Sequence, residues 1–168
     1  GNSTLVANQA LEANGLGDLV LIEPYPPEYL KNLELVSKTY KKIIQDFELK
    51  DLVSIVEEAD ILFIDSTHTV KVGSDCLFIY LKLMPEITKK MLVHAHDIAL
   101  PYTQPQSKIK NHIYWTEQYL LYAYLLDNHK ARALAGSYFS QRKFPEISKE
   151  LMGGKYADGG GSFWFELN

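Results

Sequence analysis

Short apolar runs alternate along this chain with stretches of helical apolar spacing. Runs such as residues 19–22 and 61–64 are only four residues long, which is typical of strands buried on both faces of a parallel sheet. The stretches between them, for example residues 49–57, place apolar side chains three and four positions apart. The alternation predicts an α/β protein with a doubly wound, mostly parallel sheet and helices on both faces.

The boundaries of the predicted elements follow from these patterns and from helix-capping and turn residues. Helices are predicted over residues 3–14, 26–37, 49–57, 76–87, 115–126 and 145–151. Strands are predicted over residues 19–22, 41–47, 61–64, 91–93, 132–138 and 162–167, and the last of them closes the sheet as an antiparallel strand. The connection 100–110 is long, and such connections often form lids or binding loops. The 168 residues are expected to form one domain.

A polar cluster follows each of two buried strands. Residues 65–68 (Asp-Ser-Thr-His) follow the first, and residues 94–97 (His-Ala-His-Asp) follow the second. Ligands of open parallel sheets bind beyond the carboxyl ends of the strands, so the two clusters are expected to lie near each other and near a ligand. His68 or His96 could serve as a general base, or each could be a hydrogen-bonded structural residue. We interpret His94 as structural and expect it on the opposite side of the strand from His96.

Composition limits the classes of partner. The net charge is −4 and the isoelectric point about 5.7, so the chain lacks the basic surface that nucleic acid requires. No apolar stretch reaches the roughly 18 residues of a membrane span, and no signal peptide is evident. Cys76, the single cysteine, lies in an apolar stretch and is expected to be buried. The sequence therefore predicts a cytoplasmic protein with neither a nucleic-acid nor a membrane partner.

Several segments, taken in order, resemble the motifs of class I S-adenosylmethionine-dependent methyltransferases, in particular those that act on small molecules at oxygen. They are residues 1–6 (the tail of the Gly-rich first motif), 22–24 (Ile-Glu-Pro), 60–68, 92–98 and 159–164. The resemblance implies a methyltransferase-like domain over residues 1–168 with a Rossmann-like fold whose first strand, with most of the Gly-rich motif, is missing. That lack leads us to expect impaired cofactor binding, and unpaired strand edges that could join two copies as a homodimer.

The resemblance also implies S-adenosylmethionine as the cofactor. Glu23 would accept hydrogen bonds from the ribose hydroxyls, and the helix that begins near Ser3 would face the amino-acid end of the cofactor. The complete set of implied cofactor contacts is Gly1, Ser3, Glu23, Gln45, Asp46, Asp65 and Ser66.

The reacting groups are expected at Asp65, His68, His96 and Asp97, of which Asp65 and Asp97 match the carboxylate positions that the resemblance implies. In the metal-dependent members, residues at the positions of Asp65, His96 and Asp97 hold a magnesium ion, which lowers the pKa of the attacking hydroxyl. His96 stands where a carboxylate is usual, and imidazole suits a softer divalent metal. Two mechanisms are thus open: activation of the hydroxyl by a divalent metal, and direct proton transfer to a histidine.

The function that the resemblance implies is methyl transfer to a small-molecule acceptor through a hydroxyl oxygen. One alternative is a nucleotide-binding oxidoreductase of doubly wound fold, and another is a non-catalytic scaffold domain that has kept only the methyltransferase-like fold. An aromatic cluster, Tyr102, Tyr114, Trp115 and Tyr119, could wall the acceptor pocket or belong to the core.

Overall fold

The computed structural model describes residues 1–154 and 160–168 and contains two compact units, Gly1–Phe47 and Glu48–Asn168. Helices alternate with strands that form parallel-rich sheets, which confirms the predicted mixed α/β class and a Rossmann-like arrangement. Gly159, which belongs to one of the resembling segments, lies outside the described residues. The expectation of one domain stays a prediction.

The first unit consists of a helix and a two-stranded parallel sheet. Helix α1 (Asn2–Asn14) ends at Gly15, whose φ of 69° lets its amide bond back to the carbonyls of the last turn, as the Asn-Gly pair predicts. Strand β1 (Leu19–Ile22) pairs in parallel with β2 (Val36–Tyr40).

Two elements predicted for the first unit are wrong. The region 26–37 contains only a short 3₁₀ helix, Glu28–Asn32, before the chain becomes extended. The strand predicted at 41–47 lies earlier, at β2, where β-branched residues and a tyrosine favour extended backbone. Gln45 and Asp46 therefore belong to the 3₁₀ turn Ile44–Asp46 and do not end a strand.

The second unit contains a four-stranded sheet in the order β3-β4-β6-β5. Its strands are β3 (Ile61–Ile64), β4 (Met91–Ala95), β5 (Ala131–Gly136) and β6 (Phe163–Leu167). Strands β3 and β4 are parallel, while β6 lies between β4 and β5 and is antiparallel to both. The predicted closing antiparallel strand is thus confirmed, and the carboxyl ends of β3 and β4 meet at one edge.

The helices of the second unit follow the predicted order with two additions. They are α2 (Leu49–Glu57), α3 (Asp75–Phe78), α4 (Met84–Glu86), α5 (Gln106–Lys110), α6 (Glu117–Leu125), α7 (Ser137–Lys143) and α8 (Pro145–Leu151). A π-helical segment, Ile79–Leu83, joins α3 to α4. Helix α5 occupies the long connection after β4, and α7 begins where the strand predicted at 132–138 was expected to continue.

The core of the second unit lies around the central strands. Val93 of β4 and Phe165 of β6 are fully buried, as are Tyr80 of the π-helical segment and Leu121 of α6. Cys76 is also fully buried, as predicted. No helix in the described part of the chain is both long and apolar enough to span a bilayer.

Candidate active site

The backbone turns sharply just after β3 and β4. His96 N–H donates to the carbonyl of Ile64 at 2.9 Å, so the two strands stay paired up to their ends. Beyond this point His68 and Asp97 each adopt a left-handed φ of 57°. Such backbone is unusual for residues other than glycine, and it redirects each side chain.

The turns bring three of the predicted site residues together. His68 Nε2 lies 3.5 Å from Asp65 Oδ1 and 3.8 Å from Asp97 Oδ2, so the imidazole stands between the two carboxylates. The ring also lies against Trp115, at 4.3 Å between ring centroids. His68 is buried, whereas Asp65 and Asp97 keep part of their side chains exposed.

The other ring nitrogen of His68 contacts a residue that the sequence did not single out as functional. Nδ1 lies 2.7 Å from Oε2 of Glu117, which is 1% exposed at the start of α6. The same carboxylate accepts hydrogen bonds from Ser66 Oγ at 2.7 Å and Tyr80 Oη at 2.8 Å. An acidic residue next to Gln118 at the head of an apolar helix is the only signal that could have revealed it.

These carboxylates control the charge of His68. Burial alone would favour the neutral ring, but hydrogen bonds to Asp65 and Glu117 outweigh it and raise the pKa of His68 from 6.5 to about 9. His68 therefore carries a positive charge at neutral pH. Contact with His68 in turn holds the pKa of the Asp65 carboxyl below its ordinary value.

The raised pKa of His68 predicts a pH-dependent stability. The folded state binds the proton more tightly than the unfolded state, so this contribution is complete below pH 6.5 and is lost as the pH rises through about 9. Its size is on the order of 3 kcal/mol at 1.36 kcal/mol per pKa unit. Urea denaturation at roughly pH 6 and pH 10 should show this loss in the wild type. In His68→Gln the loss should be smaller by that amount, and equal losses in both proteins would contradict the assignment.

Asp97 has a second cationic neighbour. Lys108 Nζ of α5 lies 3.2 Å from Asp97 Oδ1 and 3.3 Å from the ring centroid of Trp115. Asp97 therefore contacts both His68 and Lys108. The connection after β4, whose length is typical of lids and binding loops, supplies this lysine.

A cavity of about 320 Å³ opens beside Asp97. That volume lies at the small end of the range for pockets that bind small molecules. Its lining combines Asp97 and Lys108 with neutral hydrogen-bonding side chains, including those of Gln104 and Tyr138, and with the backbone of Gly161. Asp97 is the one predicted site residue that lines this cavity.

Gln118 fixes one wall of the cavity. Its side chain is fully buried, and its Oε1 accepts hydrogen bonds from the amide of Ala99 at 3.1 Å and from Nε2 of Gln104 at 3.0 Å. Its Nε2 donates to the carbonyl of Tyr102 at 3.3 Å. Two adjacent residues of α6 therefore contact different segments. Glu117 contacts the segment that follows β3, and Gln118 contacts the segment that follows β4.

His94 of β4 and His96, which directly follows the strand, lie on the same side of it. Both rings contact Phe63, at 4.9 Å for His94 and 5.9 Å for His96. The expectation that they face opposite sides is wrong, because residues two apart in a strand point to the same face. His94 stacks on Trp164 at 4.3 Å, and burial together with His96 lowers its pKa to about 4.

A metal ion does not fit these residues. Among residues 1–154 and 160–168, no three histidine, cysteine, aspartate or glutamate side chains are grouped as metal ligands. The predicted set of Asp65, His96 and Asp97 is not assembled, and the charged ring of His68 lies between the two carboxylates instead.

The residues implied to contact the cofactor lie in both units. In the first unit, Gly1 caps α1, Ser3 lies in the first turn of that helix, and Glu23 follows β1, where its Oε1 accepts a hydrogen bond from the amide of Tyr25 at 3.1 Å. A half-buried carboxylate after a parallel strand, and a helix N-terminus that suits a carboxylate ligand, fit a nucleoside attached to an amino acid. In the second unit, Ser66 already donates to Glu117.

The predicted aromatic cluster divides. Trp115 contacts His68 and Lys108, and Tyr102 packs near Phe139 at 6.4 Å between ring centroids. Tyr114 and Tyr119 are largely exposed. Only part of the cluster therefore lies at the site.

A parallel pair of strands that ends in acidic and basic side chains beside a cavity is typical of α/β domains that bind ligands at the carboxyl ends of their strands. A comparison with protein families matches residues 1–98 to the family described as Methyltransferase domain. This match spans more than half of the chain, which therefore belongs to the class I S-adenosylmethionine-dependent methyltransferases. Neither the search of curated proteins nor the search of solved structures found a match.

Proposed function

We propose that this protein transfers a methyl group from S-adenosylmethionine to a hydroxyl oxygen of a small molecule bound in the cavity beside Asp97. The observation that carries the proposal is the position of Asp97, a carboxylate at the end of β4 that lines a cavity of about 320 Å³ in a methyltransferase domain. The volume suits a small acceptor.

The chain's own residues would manage the acceptor and its proton. Bound S-adenosylmethionine supplies a methyl group on a positively charged sulfur, and Glu23 would hold its ribose. In the cavity, Asp97 would accept a hydrogen bond from the acceptor hydroxyl and orient one lone pair toward the methyl group.

The proton balance favours Asp97 as the base. As the oxygen–methyl bond forms and the carbon–sulfur bond breaks, the acceptor oxygen gains positive charge and its proton becomes strongly acidic. A carboxylate within hydrogen-bond reach can then take that proton. His68 already carries a proton at neutral pH, so we assign it an electrostatic role: it holds Asp97 and Asp65 in place.

The test combines binding and turnover. S-adenosylhomocysteine is titrated calorimetrically into the wild type and into Glu23→Gln, and methyl transfer from radiolabelled S-adenosylmethionine is measured with catechol, phenol, methyl α-glucoside and benzylamine. We expect binding that Glu23→Gln weakens about tenfold, as for a lost hydrogen-bond pair, and labelling of a hydroxyl compound without added metal. A chain that binds the cofactor but labels none of the four would overturn the assignment of the acceptor. Labelling of benzylamine alone would assign nitrogen instead of oxygen.

A further inference from the structure

Two adjacent buried residues at the head of α6 connect separate parts of the site. Glu117 is 1% exposed and Gln118 is 0% exposed, which is rare for polar side chains unless all their hydrogen bonds are satisfied. Between them they contact the chain that leaves β3, the chain that leaves β4 and the π-helical segment Ile79–Leu83.

Glu117 holds His68 from both the ring and the backbone side. Its carboxylate contacts His68 Nδ1 at 2.7 Å, and its own amide donates to the carbonyl of His68 at 3.1 Å. The amide of Thr116 donates to the same carbonyl at 2.8 Å. The imidazole is thus fixed at Nδ1, and its Nε2 is left to face Asp65 and Asp97.

The remaining contacts of Glu117 prevent the carboxylate from following any movement of His68. Tyr80 Oη and Ser66 Oγ donate to its two oxygens, and Tyr80 is itself fully buried. Charge-assisted hydrogen bonds of this length are among the strongest in proteins. The orientation of the His68 ring is therefore set by the core of the second unit.

Gln118 acts on the other side of the site. Its three partners, Ala99, Tyr102 and Gln104, all belong to the connection that follows Asp97. Ala99 and Gln104 line the cavity, so Gln118 fixes the wall against which an acceptor would rest. Because one helical turn carries both residues, the distance between the His68 ring and that wall is set by a rigid element.

We propose that Glu117 and Gln118 are a pair of positioning residues: Glu117 aims His68 at Asp97, and Gln118 holds the cavity wall beside Asp97. The inference rests on the proposed function, because the pair affects catalysis only if Asp97 binds the acceptor. The two residues should then control different kinetic constants. Glu117 should affect the chemical step through Asp97, and Gln118 should affect the binding of the acceptor.

The first measurement needs no turnover. In protein labelled with ¹⁵N-histidine, the hydrogen bond to a buried carboxylate should give His68 a slowly exchanging Nδ1–H signal, assigned by its absence in His68→Gln. Glu117→Gln removes the charge at nearly constant volume and leaves only a weaker, neutral acceptor, so the Nδ1–H proton should exchange too fast for the signal to be seen, while Glu117→Asp should restore it in part. Gln118→Leu should keep the signal and speed amide exchange at Ala99; Gln118→Met, which also lacks the acceptor oxygen, replaces it if the leucine variant does not fold. Tyr119→Phe, on the exposed side of the same turn, is the matched control.

The second measurement is the division between kcat and KM, made with the most active hydroxyl compound of the panel above. Glu117→Gln should lower kcat about 10- to 100-fold with little change in KM, as for a lost hydrogen bond to a charged group. Gln118→Leu should raise the KM of the acceptor about tenfold with a smaller effect on kcat.

The outcomes separate this inference from the proposed function. Loss of the His68 signal in Glu117→Gln, together with faster exchange at Ala99 in Gln118→Leu, supports the positioning pair even if no compound of the panel is methylated. Retention of the His68 signal in Glu117→Gln would overturn it. Equal changes in the same kinetic constant for both variants would also overturn it, because they would indicate general loosening of α6.

Discussion

Replacement of Asp97 by asparagine is expected to lower kcat for methyl transfer about 100-fold or more, in the range found for the loss of a general base. The amide keeps the shape of the side chain and can still accept a hydrogen bond from Lys108, but it cannot take the proton of the acceptor. Affinity for S-adenosylhomocysteine should change little. Steady-state methyl transfer with the hydroxyl compounds, beside calorimetry on the same preparation, measures both quantities.

Asp60→Asn is the matched control for this substitution. Asp60 lies directly before β3, its side chain is 95% exposed, and its partner Lys89 lies 3.2 Å away at the surface. Asp60→Asn changes the net charge by the same amount as Asp97→Asn, and the surface ion pair that it removes contributes little to stability. Unchanged kcat in Asp97→Asn would remove Asp97 as the base, and an equal loss in Asp60→Asn would show that the effect reflects charge alone.

Replacement of Gly161 by alanine is expected to destabilise the protein and to displace Asp97. A Cβ atom at Gly161 would lie 2.8 Å from the Cα of Asp97 and 3.0 Å from the amide nitrogen of Ile98. Both contacts are with backbone, and the carbonyl of Gly161 accepts the Ile98 amide at 2.8 Å, so neither segment can move without loss of that bond. We expect a loss of about 2 kcal/mol in the free energy of unfolding, as for overpacked sites, together with reduced methyl transfer.

Gly136→Ala provides the comparison, because its Cβ would meet the Phe163 ring at 3.3 Å and the carbonyl oxygen of Leu100 at 3.4 Å, both less close than the contacts at Gly161. Its cost should be below about 1 kcal/mol, within the range of tolerated changes. Urea denaturation of the two variants shows which of them loses more free energy of unfolding. Equal stability of Gly161→Ala and the wild type would mean that the two backbones do not approach as closely as described.

The strands that flank the site could be predicted from the sequence, because a short apolar run bounded by polar residues, such as Ile61–Ile64, is typical of a buried strand. The same rule failed at β2. Its exposed residues Ser37 and Lys38 interrupt the apolar pattern of β2. The strand was instead predicted around the more apolar pair Ile43 and Ile44. Helix α7 was not predicted because Tyr138 and Phe139 continue the apolar pattern of β5 beyond the break at Gly136 and Ser137.

Only part of the candidate site could be predicted from the sequence in the same way. Asp97 and His68 could be identified because they follow strands whose ends must meet. Glu117 and Lys108 could not, because they come from later elements that only the tertiary fold brings near the strand ends. Glu117 is 49 positions away from His68. The error about His94 has another origin. It was assigned to the wrong face of its strand, although residues two positions apart in a strand point to the same face.

The left-handed backbone at Asp97 and His68 has a practical consequence for anyone who would stabilise this protein. Glycine adopts a φ of 57° without steric cost, whereas other residues there cost about 1 kcal/mol or more. On backbone grounds alone, a search for thermostable variants would select Asp97→Gly, which relieves the backbone but also deletes the carboxylate that pairs with His68 and Lys108. Melting temperature and turnover would diverge at this position, so engineering of the protein should hold Asp97 and His68 constant while the rest of the chain is optimised.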